Sequence, residues 1–176
     1  MLRIGVVSDT HLPRFGRALP RALVHGLREA AVDRILHLGD WTSELAFDLF
    51  VAIAPTDGIA GNNDPPALTA RFGTVKVVEA DGVRLGLTHG HLGTGRTTPD
   101  RARSLFATEP GLSGILFGHS HLPLLVPPTG PGTPWLINPG SPTDKRRQPR
   151  FTWVLLTLDG GRVLAADLRA YDERSP

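Results

Sequence analysis

The chain contains no cysteine. A disulfide framework is therefore excluded, as are a thiolate metal site and a cysteine nucleophile. Any metal must be held by imidazole, carboxylate and amide groups. An excess of charge is also missing: 19 basic and 17 acidic residues leave a net charge of +2, and the basic residues are spread out. That balance gives no electrostatic reason to expect a nucleic-acid polymer or a membrane surface as partner. No apolar run reaches the length of a membrane span. The N-terminal apolar stretch meets Ser8-Asp9 too soon to form a signal-peptide core, which predicts a cytoplasmic location. A zinc peptidase is disfavoured because no His-Glu-x-x-His helix is present.

What remains is ordinary globular material. With 176 residues, 40% of them hydrophobic and 20% charged, the chain can fill one core but not comfortably two, so residues 1–176 are expected to form a single domain. Apolar runs at 2–7, 34–38 and 56–60 read as strands. Between them, Leu19, Ala22, Leu23, Leu27 and Ala30 have helical spacing over 18–31, with Pro20 in the first turn. A second helix is predicted over 44–53, with Ser43 as N-cap. The first 60 residues thus read β-α-β-α-β, the pattern of a parallel sheet.

The second half differs. Strands at 75–79 and 83–88 flank an Asp81-Gly82 turn, a hairpin signature. A helix over 99–107, capped by Thr98, is followed by short strands near 114–117, 122–126 and 135–138. A last hairpin joins 151–158 to 163–169. The stretch 127–134 holds four Pro and two Gly and reads as a loop. The expected whole is an α/β domain with two packed sheets and helices outside.

Polar clusters fall where the strands end: Ser8-Asp9-Thr10-His11, Gly39-Asp40, Gly61-Asn62-Asn63-Asp64, His89-Gly90-His91, Gly118-His119-Ser120-His121 and Asn138-Pro139-Gly140-Ser141. Open α/β sheets bind ligands at the carboxyl ends of their strands. Asp-x-His and His-x-His place two ligands on one side of an extended segment. Imidazole and carboxylate donors suit Mn, Fe, Ni or Zn. A bridging carboxylate can hold two cations at the roughly 3.5–4 Å used in two-metal hydrolysis. Taken alone, His89-x-His91 and His119-x-His121 leave structural and metal roles open; the joint pattern favours metal.

These five ordered motifs from Ser8 to His121 resemble those of the calcineurin-like metallophosphoesterase superfamily. The short length and the Asn138-Pro139-Gly140-Ser141 motif are similar to its small phosphodiesterase branch, which also includes the catalytically reduced subunit of the eukaryotic retromer coat. The resemblance implies a four-layer α/β/β/α sandwich with two mixed sheets. It implies that Asp9, His11 and His121 hold one metal, that Asp40 bridges, and that Asn62, His89 and His119 hold the other. Two divalent ions are expected, Mn first, with Fe, Ni or Zn as alternatives. The attacking group would be a hydroxide on the metals, with no covalent enzyme intermediate.

One position departs from the superfamily's better-known pattern. Asn63 stands where a His protonates the leaving oxygen, and an amide is no general acid. The departure tilts the reading toward a phosphodiesterase acting on a small diester, a cyclic or other nucleotide among them, with Asp40, Asn63 and His91 as the residues nearest the chemistry. The alternatives are a phosphomonoesterase and a scaffold subunit using the same fold for protein contacts. Self-association is common in the small branch, so a homo-oligomer is a further expectation. Among the remaining polar residues, His25 reads as a surface residue and His37 as a satisfied core or supporting His. Asp64 is expected to order its own loop, and Asn138 is open between loop positioning and a turn. Lys145-Arg146-Arg147 with Arg150 reads as a solvated loop, with an anionic substrate as the alternative use.

Overall fold

A computed structural model describes residues 1–175. The first sheet contains β1 (Leu2–Val7), β2 (Arg34–Leu38), β3 (Thr56–Ile59), β9 (Phe151–Asp159) and β10 (Arg162–Tyr171), in the order β10-β9-β1-β2-β3. The second contains β4 (Val75–Ala80), β5 (Val83–Thr88), β6 (Gly114–Leu116), β7 (Leu124–Val126) and β8 (Trp135–Asn138), in the order β4-β5-β6-β8-β7. Both are mixed. Strands β1, β2 and β3 run parallel, as do β5, β6 and β8, while the hairpin partners are antiparallel.

Alternation along the strands builds the layers. Ile4, Val6, Leu36, Leu38 and Ile59 of the first sheet meet Leu85, Leu87, Leu116 and Ile137 of the second, all fully buried. The outer face of the first sheet is covered by α1 (Arg21–Glu29), α2 (Glu44–Val51) and α3 (Pro66–Phe72) through Leu23, Leu27, Phe50, Leu68 and Phe72. On the other side, Ala102 of α4 (Thr98–Leu105) packs with Phe106, Ile115 and Phe117 over the second sheet. The result is the α/β/β/α sandwich with two mixed sheets, and no helix among the described residues is long and apolar enough to cross a membrane.

Several boundaries differ from the sequence expectation for local reasons. Pro20 is the N-cap of α1, not part of its first turn, and its ψ of 134° lies outside the helical region. Ser43 occupies the N-cap of α2 but does not cap it, because its hydroxyl donates to the Leu12 carbonyl at 2.7 Å. Thr97, not Thr98, caps α4 in a reciprocal box with Asp100. Strand β7 starts at Leu124, after Pro123, which has no N–H to give a ladder. Helix α3 was not expected at all; Pro65-Pro66 hides it, with Pro66 at the first helical position.

Candidate metal centre

The two runs of parallel strands end on the same edge of the sandwich, so the clusters that follow them converge there. Asp9 and His11 follow β1, Asp40 follows β2, and Asn62 and Asn63 follow β3. His89 and His91 follow β5, and His119 and His121 follow β6. Each strand gives way to an abrupt turn. Asp9 (φ 57°), His11 (48°), Asp40 (59°), His119 (68°) and His121 (59°) all adopt left-handed backbone, a state that costs a non-glycine residue about 1 kcal/mol or more. The turns swing alternate side chains onto one point.

Neighbouring backbone and buried hydroxyls hold these turns. The amide of Asp9 donates to the Gly39 carbonyl at 3.0 Å, and that of His11 to the Asp40 carbonyl at 2.9 Å. Ser141 Oγ donates to the Asp9 carbonyl at 2.8 Å, and Thr143 Oγ1 to that of Thr10 at 2.6 Å. The His119 amide donates to Asp9 Oδ2 at 3.0 Å, as does Ser8 Oγ at 2.6 Å. Gly118 is required for this crowding: a Cβ there would collide with Ser8 Oγ and lie 2.7 Å from Asp9 Oδ2.

Two groups of ligand atoms result, Asp9 with His11 and His121, and Asp9 with Asp40 and His89; within each, the atoms lie within 4.8 Å of one another. Asp9 Oδ1 is 3.3 Å from His121 Nε2, 3.8 Å from His89 Nε2 and 3.9 Å from His11 Nε2. Asp40 Oδ2 is 3.2 Å from His89 Nε2 and 3.6 Å from His11 Nε2. The rings are aimed from behind. His89 Nδ1 donates to the Leu38 carbonyl at 2.7 Å and His121 Nδ1 to the Asp144 carbonyl at 2.6 Å, leaving each Nε2 pointing inward.

Asp9 Oδ1 and the Nε2 atoms of His11, His89 and His121 are buried without a hydrogen-bond partner. Buried polar atoms are normally satisfied, and an orphan costs about 1–3 kcal/mol. Four on one spot, all nitrogen or oxygen, fit a divalent cation.

The charges are coupled. Burial opposes ionisation of Asp9, yet His89, His121 and Ser8 together hold its carboxyl below the usual range. Asp40 is likewise depressed against burial, by His89 and Asn63. For His89, burial is outweighed by Asp9 and Asp40, which raise its pKa to about 9. His121 is raised in the same way, chiefly by Asp9. The carboxylates that these imidazoles face thus favour their protonated forms. His11, His91 and His119 are lowered, first by burial.

The other expected site residues stand at the margin. The His119 ring lies 5.1 Å from that of His89 and His91 lies 5.5 Å from it, centre to centre; both are half-buried. His91 Nδ1 is a further buried orphan. Asn62 is exposed and belongs to neither ligand group. Asn63 is tied to Asp40, donating Nδ2 to Oδ2 at 2.7 Å and its amide to Oδ1 at 2.9 Å. Asp64 accepts the amides of Gly61, Asp40 and Thr42 at 2.7, 2.9 and 2.6 Å, which orders the loops around Asp40.

His37 is fully buried against Trp41. The Gly39 amide donates to its Nδ1, so Nε2 donates to Thr10 Oγ1, and burial lowers its pKa to about 3. Asn138 does both jobs left open: Nδ2 donates to the Gly118 carbonyl and to Ser120, and Oδ1 accepts from the Gly140 amide. His25 is exposed. Sequence reasoning missed Ser8, Ser141, Thr143 and Asp144 as supports. Ser8 and Ser141 stand inside strand-end motifs, and Thr143 and Asp144 directly beyond the Asn138 motif, which is the signal that could have found them.

Comparison with known proteins finds clear likenesses over most of the chain. The profile described as the calcineurin-like phosphoesterase superfamily domain matches residues 2–161. A probable metallophosphoesterase of Methanothermobacter thermautotrophicus is 32% identical over 173 residues, covering 94% of this chain and 91% of the relative. Among solved structures, Vps29 of Chaetomium thermophilum superposes with a TM-score of 0.76 at 17% identity, over all of both chains. An archaeal phosphodiesterase gives 0.71 at 20% identity, covering 97% of this chain and 100% of that one. At such identities the last two likenesses speak for the fold.

Proposed function

Given that the chain belongs to the calcineurin-like phosphoesterase superfamily, we propose that it is a dinuclear-metal phosphodiesterase acting on a small phosphodiester. The observation that carries this reading is the quartet of buried, unpartnered atoms on Asp9, His11, His89 and His121. A scaffold has no use for four buried polar atoms crowded on one spot without hydrogen-bond geometry, all of which a cation would take up at once. That an archaeal phosphodiesterase shares the fold is in keeping with this choice.

In this reading Asp9, His11 and His121 would hold one ion and His89, His119 and Asn62 the other, with the Asp40 carboxylate serving both. Manganese is the first candidate. Such ions neutralise charge on a phosphoryl group and acidify water. The side chains supply the rest. Leu38 and Asp144 fix the His89 and His121 tautomers through their carbonyls. Asn63 locks both oxygens of Asp40. Held that way, Asn63 supplies no proton to a leaving oxygen. His91, neutral near pH 7 because burial lowers it, acts as a hydrogen-bonding group and not as an imidazolium acid. A diester with a good leaving group needs little acid assistance, whereas such assistance is worth about 10²–10⁴-fold where it is needed.

The test uses protein reconstituted with Mn²⁺. Bis(4-nitrophenyl) phosphate is expected to show a kcat/KM at least about tenfold above that of 4-nitrophenyl phosphate. The reverse order would assign a monoesterase with an acid elsewhere. Absence of turnover together with absence of bound metal would return the chain to the scaffold reading.

A further inference from the structure

The outermost strands of the two sheets are unequal. Strands β3, β4 and β7 are four, six and three residues long, whereas β10 runs for ten and is the longest strand of the molecule. Natural sheets blunt a long edge with proline, lysine, bulges or inward-pointing charge, because its unpaired backbone groups invite another strand. Strand β10 holds neither proline nor lysine. Its irregularity falls between Val163 and Ala165, which leaves 165–171 in regular ladder with β9. The residues that follow do not cover the edge. Arg174 donates to the Thr143 carbonyl at 2.8 Å, and the Ser175 carbonyl accepts from the Arg21 amide at 2.9 Å, which folds this segment back onto the domain.

The ladder fixes which groups face outward. The Thr152 amide donates to the Ser141 carbonyl at 3.0 Å and is therefore turned away from β10. Ala170, opposite Thr152, and by alternation Leu168 and Ala166, thus point N–H and C=O away from β9 to the open side. Of these groups the Ala170 carbonyl already accepts from Arg150 Nη2 at 3.1 Å, and a carbonyl oxygen has a second lone pair to offer. Side chains alternate too. Leu168 stands opposite Val154 on the inter-sheet face, yet it is 43% exposed. Asp167 and Arg169 stand on the other face, opposite Leu155 and Trp153. Both are exposed, and among the described residues neither has an ion-pair partner.

We propose that the open side of β10 is an interface with a second copy of this chain, paired antiparallel about a two-fold axis at Leu168. Self-complementarity selects the occupant and the register. With Leu168 against its own copy, Asp167 faces the second copy's Arg169 and Arg169 faces the second copy's Asp167. Both are non-hydrogen-bonded pairs, the closer kind, so the charges meet side by side. The outward N–H and C=O of Leu168 bond to those of its copy, and the two exposed leucine side chains cover each other. Ala166 and Ala170 pair on either side, with nothing bulky to hold the strands apart. An axis at Asp167 or at Arg169 would instead set like charges against each other. The first sheets of the two copies become one continuous sheet.

The interface lies outside the phosphodiesterase reading and is tested without turnover. Sedimentation equilibrium of the wild-type chain between about 1 and 100 µM is expected to show a monomer–dimer equilibrium. Asp167→Arg and Arg169→Asp each set like charges opposite one another at both pairs and should weaken it at least about tenfold. An equimolar mixture of the two variants restores opposite charges at both pairs and should dimerise as wild type does, as should the double variant. A wild-type chain that stays monomeric at 100 µM, a dimer that both single variants leave intact, or a mixture that stays monomeric would each overturn the proposal. Hydrogen exchange needs no variant. The Leu168 amide should exchange at least about tenfold more slowly at the high concentration than at the low one, while those of Asp167 and Arg169, already paired with β9, keep their rates. A Leu168 rate independent of concentration would equally overturn it.

Discussion

The middle of the sandwich and the edge where its parallel strands end are made from the same strands, yet they follow opposite rules. In the middle, Ile4, Val6, Leu36, Leu38, Leu85 and Leu87 are apolar, fully buried and in regular extended backbone. A few residues further along, Asp9, Asp40 and His89 are just as buried, but they are charged and surrounded by left-handed turns. The first region lowers the free energy of folding, at about 1.5–3 kcal/mol for each large aliphatic side chain. The second raises it, through strain, desolvated charge and unpartnered atoms. A packed interior of this kind is what lets an adverse arrangement persist at its border.

If the comparison is right, the two regions fail differently. The largest effect is expected at the edge: Asp40→Asn or His121→Ala should lower Mn²⁺-dependent diester hydrolysis by on the order of 10³-fold while the circular dichroism spectrum keeps its native form. Retained turnover in either variant would break the division. Next in size, Leu36→Ala should destabilise the chain by about 2–5 kcal/mol in denaturant titrations and leave metal stoichiometry unchanged in the folded protein. Loss of metal from that folded protein would show that the middle and the edge are not separable.

The smallest effect sharpens the comparison through pH. His89 is raised in the folded chain to about 9 from an ordinary 6.5. Its ion-pairing stability in metal-free protein is thus complete below about pH 6.5 and lost as pH rises through 9. A cation competes with that same proton, so its binding strengthens over the same interval. The gap in melting temperature between loaded and metal-free protein should therefore widen from pH 6.5 to pH 9 by several degrees, at ~2–4 °C per kcal/mol. A constant gap would mean that His89 holds no proton that a cation must displace.

Much of this was legible in the sequence because strand ends announce themselves. An apolar run that stops at Asp9, Asp40, His89 or His119 needs only the rule that parallel strands share a carboxyl edge. Asp64, with two oxygens in a loop of polar residues, was readable as a loop organiser, and three backbone amides meet it. What escaped was whatever depends on backbone from elsewhere in the chain. The carbonyls of Leu38 and Asp144 that aim the histidines carry no side-chain signature. Ser43 looked like a helix cap until Leu12, thirty-one residues away, took its hydroxyl. Helix α3 hid behind Pro65-Pro66, so that residues 66–72 were assigned to no element. Arg146 and Arg150, alike in sequence, became distinguishable only once Asp144 and Asp172 had claimed one each.

The ligand residues come from both sheets: Asp9, His11 and Asp40 follow strands of the first, His89 and His121 strands of the second. An ion shared among them is a clasp between two leaves. At the opposite end the β4–β5 and β9–β10 hairpin turns meet, the Gly161 amide donating to the Asp81 carbonyl at 3.0 Å. Loading the ion should make the sandwich open like a book from its turn end, so that slow amide exchange spreads inward from the clasp and the hairpin tips remain the first to exchange.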